Sequence, residues 1–498
     1  MKIIQLKESL VRIKLAITLV MVLMIKRKKH VHCLRSIILS ALYLTLSQQV
    51  KTQTVFPLHL SSNQRYLVDQ KKIPFLIKEI SSWGMIQSLS EKDAFDFMDS
   101  IRIKGFNSML VSIISGDTRF AGNPPNWEGN SPFKIQWNFS TPNETYFRHV
   151  DNILKMAESK GLLVLLVPCY LGYKGDPNQG WFRKLTDPQN DTLKSCKFGQ
   201  FLGNRYKNCK NIIWVAGGDN DASGIYQSHM LNIIRGIKEG ELRESQHLWT
   251  AHWSSETAKN WSKSNKPFSS FIDINGLYCF VEKDLGLTGP QYKSELDNFS
   301  NGKMYFQLDQ SYEQDIPGSE DNINYQWIRR KNYDGLLSGC AGSSFSPGIS
   351  QDLQLYKFYN WKKFMNTRGM IEANYCFNLF ESRPWYDLIP DTSVITVTTG
   401  RGTFGDIDFV CLARTANGNN ILAYVPTTRI ITVNMSRISG ASAKAWWYNP
   451  KNGQTQFIGS FATRGDHEFM SPKGDQILVL DDASLNFRTP GKIFFEQK

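Results

Sequence analysis

From residue 73 onward, short apolar runs alternate with amphipathic segments in a regular beat. "PFLIKEI" (74–80) is strand-like. "SEKDAFDFMDSIRIKG" (90–105) follows with a Ser cap, an acidic first turn and a terminal Gly, the signature of a helix. "FNSMLVSII" (106–114) is again strand-like, and a helix is predicted over Asn143–Lys160, with Phe147, Val150, Ile153, Leu154 and Ala157 on one face. "GLLVLLVPCY" (161–170) is apolar throughout, as expected of a parallel strand covered on both faces. A helix near Leu193–Tyr206 leads into "NIIWVAGGD" (211–219). Strand-like "HLWTAHW" (247–253), "INGLYCF" (274–280) and "KMYFQLD" (303–309) come next, with helical stretches at Tyr226–Lys238 and Gln291–Phe299 among them. The segment "YQWIRRKNYDGLLSG" (325–339) predicts a helix, "SSFS" (343–346) a weak strand, and Leu353–Arg368 a last helix. Eight strand-plus-helix units in roughly 300 residues predict an α/β fold, the (β/α)8 TIM barrel. The fifth unit shows no clear helix. An open doubly wound sheet is the alternative, but no Gly-rich phosphate turn follows the first strand.

The pattern changes after residue 385. "PDTSVITVTTG", "IDFVCLARTA", "NNILAYVP", "RIITVNMS", "AKAWWYNP", "QTQFIGSF" and "DQILVLDD" are short strands punctuated by turn residues. They predict a C-terminal all-β sandwich. The expected organisation is a targeting segment at 1–53, a barrel at 54–385, a sandwich at 386–485 and a tail at 486–498.

A chain of 498 residues suits two cores better than one. The net charge of +13 resembles a nucleic-acid signal, but +8 of it falls within residues 1–50. The remainder has no basic stripe and no nucleic-acid module, so nucleic acid is excluded as a partner. Nucleotide is excluded too, because "GRGTFG" (400–405) lies among strands with no helix to follow. Near the N-terminus, Leu15–Ile25 and Ile37–Leu46 are each shorter than the ~20 residues needed to cross a bilayer. With "KRKKH" between them and polar "SQQVKTQT" after, the second run reads as a signal peptide. An uncleaved anchor is the alternative. The expectation is a secreted, periplasmic or cell-surface monomer that meets membrane only through this segment. The Cys residues include no Cys-x-x-Cys pair and read as buried thiols with few or no disulfides.

In a barrel, chemistry sits where strands end. Those ends carry Glu79 and Trp83, Tyr170, Asp219, His252 and Trp253, a position near Glu282, and Asp309 with Tyr312 and Glu313 behind it. Asp219 and Asp309 are 90 positions apart, three units of ~30 residues. That is the step from the fourth strand to the seventh. Two carboxylates facing each other across the mouth are what glycoside hydrolysis requires; two turn or cap residues are the alternative. The Gly-Gly before Asp219 would let another molecule approach the backbone. Trp127, Trp137, Trp181 and Trp253 are candidates for stacking on sugar rings, or for packing. His252 could hydrogen-bond a sugar hydroxyl or an acid, or be structural. The eight histidines are scattered with no His-Glu-x-x-His, so neither a metal nor a cofactor is expected.

"LSEKDAFDFMDSIRIKGFNSMLVS", "STPNETYFRHVDNILKMAESKGLLVLLVPCYLG", "NRYKNCKNIIWVAGGD" and "GLLSGCAGS" together resemble the apiosidase-like family of barrel glycosidases. "RPWYDLIPD", "ARTANGNNILAYVPTTRIITVNMS" and "KAWWYNPKNG" resemble the domain that commonly follows it, labelled collagen-binding. The resemblance implies a secreted glycosidase acting on pectic side chains bearing apiose. It carries the acid over to Asp219 and the second carboxylate, a glutamate in a Gly-Glu-x-x-Tyr-Glu pattern, to Asp309 of "QLDQSYE", with Tyr312 and Glu313 in register. Aspartate is one methylene shorter there. The family's Gly-Asp-Ser/Thr on the first strand is "KEISSW" here, so Glu79 replaces a sugar-contacting Asp. "SSFSPG" stands where relatives carry Gly-His-Thr-Tyr-Gly. The readings left open are an active hydrolase, a catalytically weakened glycan binder, and an adhesion protein acting through its C-terminal domain.

Overall fold

The computed structural model describes residues 53–114, 125–173, 180–241, 246–254, 261–279, 291–309, 313, 325–346 and 361–493. The N-terminal targeting segment and Cys33 lie outside these. Eight parallel strands form the first architectural layer: β1 (Ile77–Ser81), β2 (Ser108–Ser112), β3 (Leu163–Val167), β4 (Ile212–Gly217), β5 (Trp249–His252), β6 (Asn275–Leu277), β7 (Tyr305–Gln307) and β8 (Gly342–Phe345). Six of them pair in the order β8-β1-β2-β3-β4-β5, and β6 pairs with β7. Backbone bonds close the ring. Ile274 N–H donates to Trp249 O (3.0 Å) between β5 and β6, and Ala341 N–H donates to Tyr305 O (2.8 Å) between β7 and β8. All residues of these strands are buried, which is why each reads as a continuous apolar or small-residue run. The weak signal of β8 has a packing cause: a Cβ on Gly342 would lie 2.4 Å from the Ile77 Cβ of β1.

The helices alternate with the strands: α1 (Glu91–Ile103), α2 (Glu144–Ser159), α3 (Thr192–Tyr206), α4 (Ile225–Gly240), α5 (Tyr292–Ser300), α6 (Tyr325–Leu337) and α7 (Arg368–Glu381). Ser90, Asn143, Asp191 and Thr367 accept a first-turn N–H as N-caps of α1, α2, α3 and α7. Between β5 and β6 the described residues form two 3-10 segments, Ser262–Ser264 and Lys266–Phe271. The last helix departs from expectation. Its start is the Thr367 cap, and residues 361–364 form a separate 3-10 turn. Met370, Ala373, Cys376, Phe377 and Phe380 supply its buried stripe. Residues 353–360 of the expected helix lie outside the described residues. Pairs of glycines bring α3 and α4 into contact: a Cβ on Gly203 would lie 2.2 Å from Ile237 O, and one on Gly236 2.0 Å from Cys196 O.

The C-terminal layer is antiparallel. Its strands are β9 (Leu388–Pro390), β10 (Val397–Thr399), β11 (Cys411–Thr415), β12 (Asn420–Val425), β13 (Ile430–Asn434), β14 (Ser442–Tyr448), β15 (Thr455–Ala462), β16 (Asp466–Met470) and β17 (Gln476–Asp482). A sheet of order β9-β11-β12-β17-β14-β15 faces a sheet of order β10-β13-β16 across Val397, Leu412, Ile421, Val433, Phe469 and Leu480. The pattern reading misses β16, whose "DHEFM" buries only Phe469. Barrel and sandwich belong to one compact unit, Thr54–Ile493. Tyr333 of α6 stacks on Tyr424 of β12 (5.6 Å, 9°), and Tyr292 of α5 stacks on Phe409 (5.2 Å, 11°). The bidentate pair Arg383–Asp481 (2.8 and 2.6 Å) is buried at the same junction. The seven cysteines among the described residues are free thiols, and no described helix is long and apolar enough to cross a membrane.

Candidate active site

Strand β4 ends on three consecutive residues with positive φ: Gly217 (90°), Gly218 (102°) and Asp219 (56°). The two glycines are forced by space as well as by dihedral. A Cβ on Gly217 would lie 2.5 Å from His252 O, and one on Gly218 2.5 Å from Tyr170 Cδ2. This tight turn aims the Asp219 backbone N–H at His252 Nδ1 (3.1 Å) and its Oδ2 at the Tyr170 hydroxyl, which donates at 2.7 Å. Asp309, just past β7, is also left-handed (φ 49°). An L-residue adopts that conformation at a cost of about 1–2 kcal/mol, which packing around both acids must offset.

Asp309 is almost fully enclosed, its side chain 1% exposed against 15% for Asp219. Its Oδ1 accepts a short bond from Ser81 Oγ. Its Oδ2 accepts from Trp83 Nε1 (3.2 Å) and faces His252 Nε2 (3.1 Å). A backbone N–H can only donate, so Nδ1 of His252 is the acceptor and the ring proton sits on Nε2, donated to Asp309. One imidazole therefore stands between the two carboxyls. Its nitrogens lie 3.8 Å from Asp219 Oδ1 and 3.1 Å from Asp309 Oδ2, so these two oxygens are at most about 9 Å apart, below the upper limit of about 9.5 Å for carboxyl pairs in glycosidases. Tyr278 covers the other side of the ring, centroids 3.9 Å apart, and Trp83 meets it edge-on at 5.1 Å.

Burial raises the pKa of Asp219. The His252 ring opposes that rise, the Asp309 charge adds to it, and the hydroxyls of Tyr170 and Tyr278 moderate it. Glu79 is pushed well above the usual carboxyl range, first by complete burial and then by the Asp309 charge. Its Oε2 accepts the Asp309 backbone N–H at 3.0 Å, and Ser81 Oγ lies 3.3 Å from its Oε1.

The proposed sugar-contacting residues divide. Tyr170, Trp83 and His252 gather with Asp219 and Asp309. Glu79 is 0% exposed and meets the site through the Asp309 backbone N–H rather than through an open face. Trp181 has no free face, being fully buried with Phe139 stacked at 5.9 Å and Trp137 edge-on at 5.3 Å. Trp253 is likewise buried, its Nε1 donating to Ser262 O (2.8 Å) and its ring against Phe268. Glu313 turns to the start of α7, where its Oε1 accepts Gly369 N–H (2.9 Å) at the positive end of the helix dipole. Trp127 stays exposed on the β2–α2 loop. Tyr312 and Glu282 lie outside the described residues. Ser81 and Tyr278 are additions; both close or follow a barrel strand, the position that signals chemistry in this fold. A hollow of about 400 Å³ lined by Arg65, Tyr66, Trp385 and Tyr386 lies at the opposite end of the barrel and holds none of these groups.

The chain matches the family model described as "Apiosidase-like, catalytic domain" over residues 61–387. It matches "Putative collagen-binding domain of a collagenase" over 389–481. No curated protein sequence matches it. Among solved structures, one titled "Glycoside hydrolase" superposes with a TM-score of 0.70 at 22% identity, covering 87% of this chain and 100% of its own. A glycoside hydrolase family 5 structure from Bacteroides vulgatus ATCC 8482 gives the same score, identity and share of this chain, with 95% of its own length covered. At that identity the likeness is one of fold.

Proposed function

The chain belongs to the apiosidase-like family of glycoside hydrolases, and from that premise we propose that it is a secreted enzyme that cleaves apiose-type pectic side chains of plant cell walls. Asp219 is the general acid in this reading, and Asp309 the nucleophile or base. The observation that carries it is His252, which takes the Asp219 backbone N–H on one ring nitrogen and meets the Asp309 carboxyl with the other, so that both acids stand at one rim and only Asp219 is partly open. The raised Asp219 keeps its proton above the ordinary carboxyl range, as an acid must to protonate a leaving oxygen. Three donors, Ser81, Trp83 and His252, fix the orientation of Asp309. That carboxylate then attacks the anomeric carbon or takes a proton from water. The sandwich, seated on α5, α6 and α7, serves as a buttress.

A second reading has its own observation. Asp309 is withdrawn, 1% exposed, where the family pattern has a residue one methylene longer. Misplacement of ~1 Å can cost ~100-fold in rate, so a weakened hydrolase that retains glycan is the alternative. Purified protein is incubated with pectic oligosaccharides beside Asp219→Asn and Asp309→Asn. The expected result is product release by the wild type only, falling as pH rises through the raised Asp219 value. Binding without release supports the second reading, and equal turnover by all three proteins removes the site.

A further inference from the structure

Three side chains from separate segments converge on the rim near the starts of α1 and α2. Glu91 opens α1, Glu128 lies on the β2–α2 loop, and His149 belongs to α2. One ligand atom of each lies within 4.8 Å of the others. Acidic pairs on a surface are common, but the histidine here is not a surface residue. His149 is 2% exposed, and neither ring nitrogen has a hydrogen-bond partner of good geometry. A buried imidazole left unpaired loses its interactions with water and gains nothing in return, so such a group calls for an explanation. The Ile86 carbonyl approaches the ring, the outer contact that commonly fixes the tautomer of a ligating histidine and leaves the other nitrogen free.

We propose that Glu91, Glu128 and His149 bind a divalent first-row transition ion, zinc being the fitting probe, with water completing the shell. Imidazole with carboxylate suits such ions, whereas calcium and magnesium take oxygen ligands alone. Each glutamate has one oxygen already held by an amide: Asn152 Nδ2 donates to Glu91 Oε1 (2.6 Å), and Asn130 Nδ2 to Glu128 Oε2 (3.2 Å). The remaining oxygen of each is the proposed ligand. Ligands about 2.1 Å from one ion in a tetrahedral shell lie about 3.4 Å apart, so the three side chains, whose ligand atoms lie within 4.8 Å of one another, would draw together on binding. Bound metal would pin the β2–α2 loop, and with it the exposed Trp127, to two barrel helices. The proposal is independent of the hydrolase mechanism.

The test is calorimetric titration of the EDTA-stripped full chain with zinc chloride, beside Glu128→Gln and His149→Gln. Because His149→Gln changes a buried position, the surface variant Glu128→Gln decides the outcome if the first does not fold. The expected result is one zinc per wild-type chain, a zinc-dependent rise in Tm, and affinity at least tenfold weaker in Glu128→Gln. Cobalt substitution should give absorption bands of a nitrogen- and oxygen-ligated ion. No zinc uptake by the wild type, uptake unchanged in Glu128→Gln, or uptake of calcium with no zinc binding would each overturn the proposal.

Discussion

Replacing Gly218 by Ala tests how the acid is aimed. The new Cβ would stand 2.5 Å from Tyr170 Cδ2, at a φ of 102°. Carbon atoms in contact prefer about 3.5–4.0 Å, so the ring must retreat by about 1 Å. Tyr170 N–H is anchored to Ile114 O and its carbonyl accepts Trp181 N–H, so the movement falls on the side chain whose hydroxyl holds Asp219 at 2.7 Å. Left-handed strain of about 1–2 kcal/mol and overpacking of about 1–3 kcal/mol together predict a loss of roughly 2–5 kcal/mol. Gly302→Ala is the control, because it also has a positive φ (78°) with nothing within 4 Å and should lose only the left-handed strain of about 1–2 kcal/mol. Urea unfolding measures both. On pectic oligosaccharides the Gly218 variant should lose about 100-fold in kcat, with KM less affected. If both variants lose equal stability and the Gly218 variant keeps its kcat, the contact between β4 and Tyr170 does not position the acid and the reasoning fails.

Two further outcomes follow from buried charge. Glu79→Gln keeps the acceptor for Asp309 N–H and removes a carboxyl whose pKa is raised in the folded state. Such a group stabilises the fold below its unfolded pKa and loses that contribution as pH rises through the folded value. The stability of the variant relative to wild type should therefore grow between weakly acidic and neutral pH; a difference that stays flat across a pH series of urea melts counts against a buried, protonated Glu79. Arg383→Ala strands Asp481, 3% exposed and left with Asn420 as its side-chain donor, and should cost about 3–5 kcal/mol; a loss below 1 kcal/mol in the same assay would show that this pair does not tie the sandwich to the barrel.

The strand ends were legible because a fully buried parallel strand is an apolar run, and its end is marked by the first polar residue. Asp219, His252 and Asp309 were found that way. The fifth unit shows no helical pattern, and the described residues there form 3-10 turns. Aromatic residues were harder to place. Trp181 and Trp253 stand at strand ends or in loops and look available to a sugar, yet neighbouring rings cover them. Composition registers an aromatic residue but not which side of it is covered. The last helix starts at the Thr367 cap, after the separate 3-10 turn of Trp361–Phe364, because Thr367 offers the side-chain acceptor for the first turn.

The local pattern alone determined the alternation of strand and helix, the change to short antiparallel strands, and the glycines that let β4 end so sharply. Those features follow from backbone sterics and from the burial of each segment's own side chains. Closure of the barrel decided the rest. It brings Glu79 against the Asp309 backbone across 230 positions and sets His252 between two acids. Packing of the neighbouring helices α1 and α2 gathers Glu91, Glu128 and His149. No periodicity encodes these meetings, because they depend on the direction a side chain takes once distant strands share a ring.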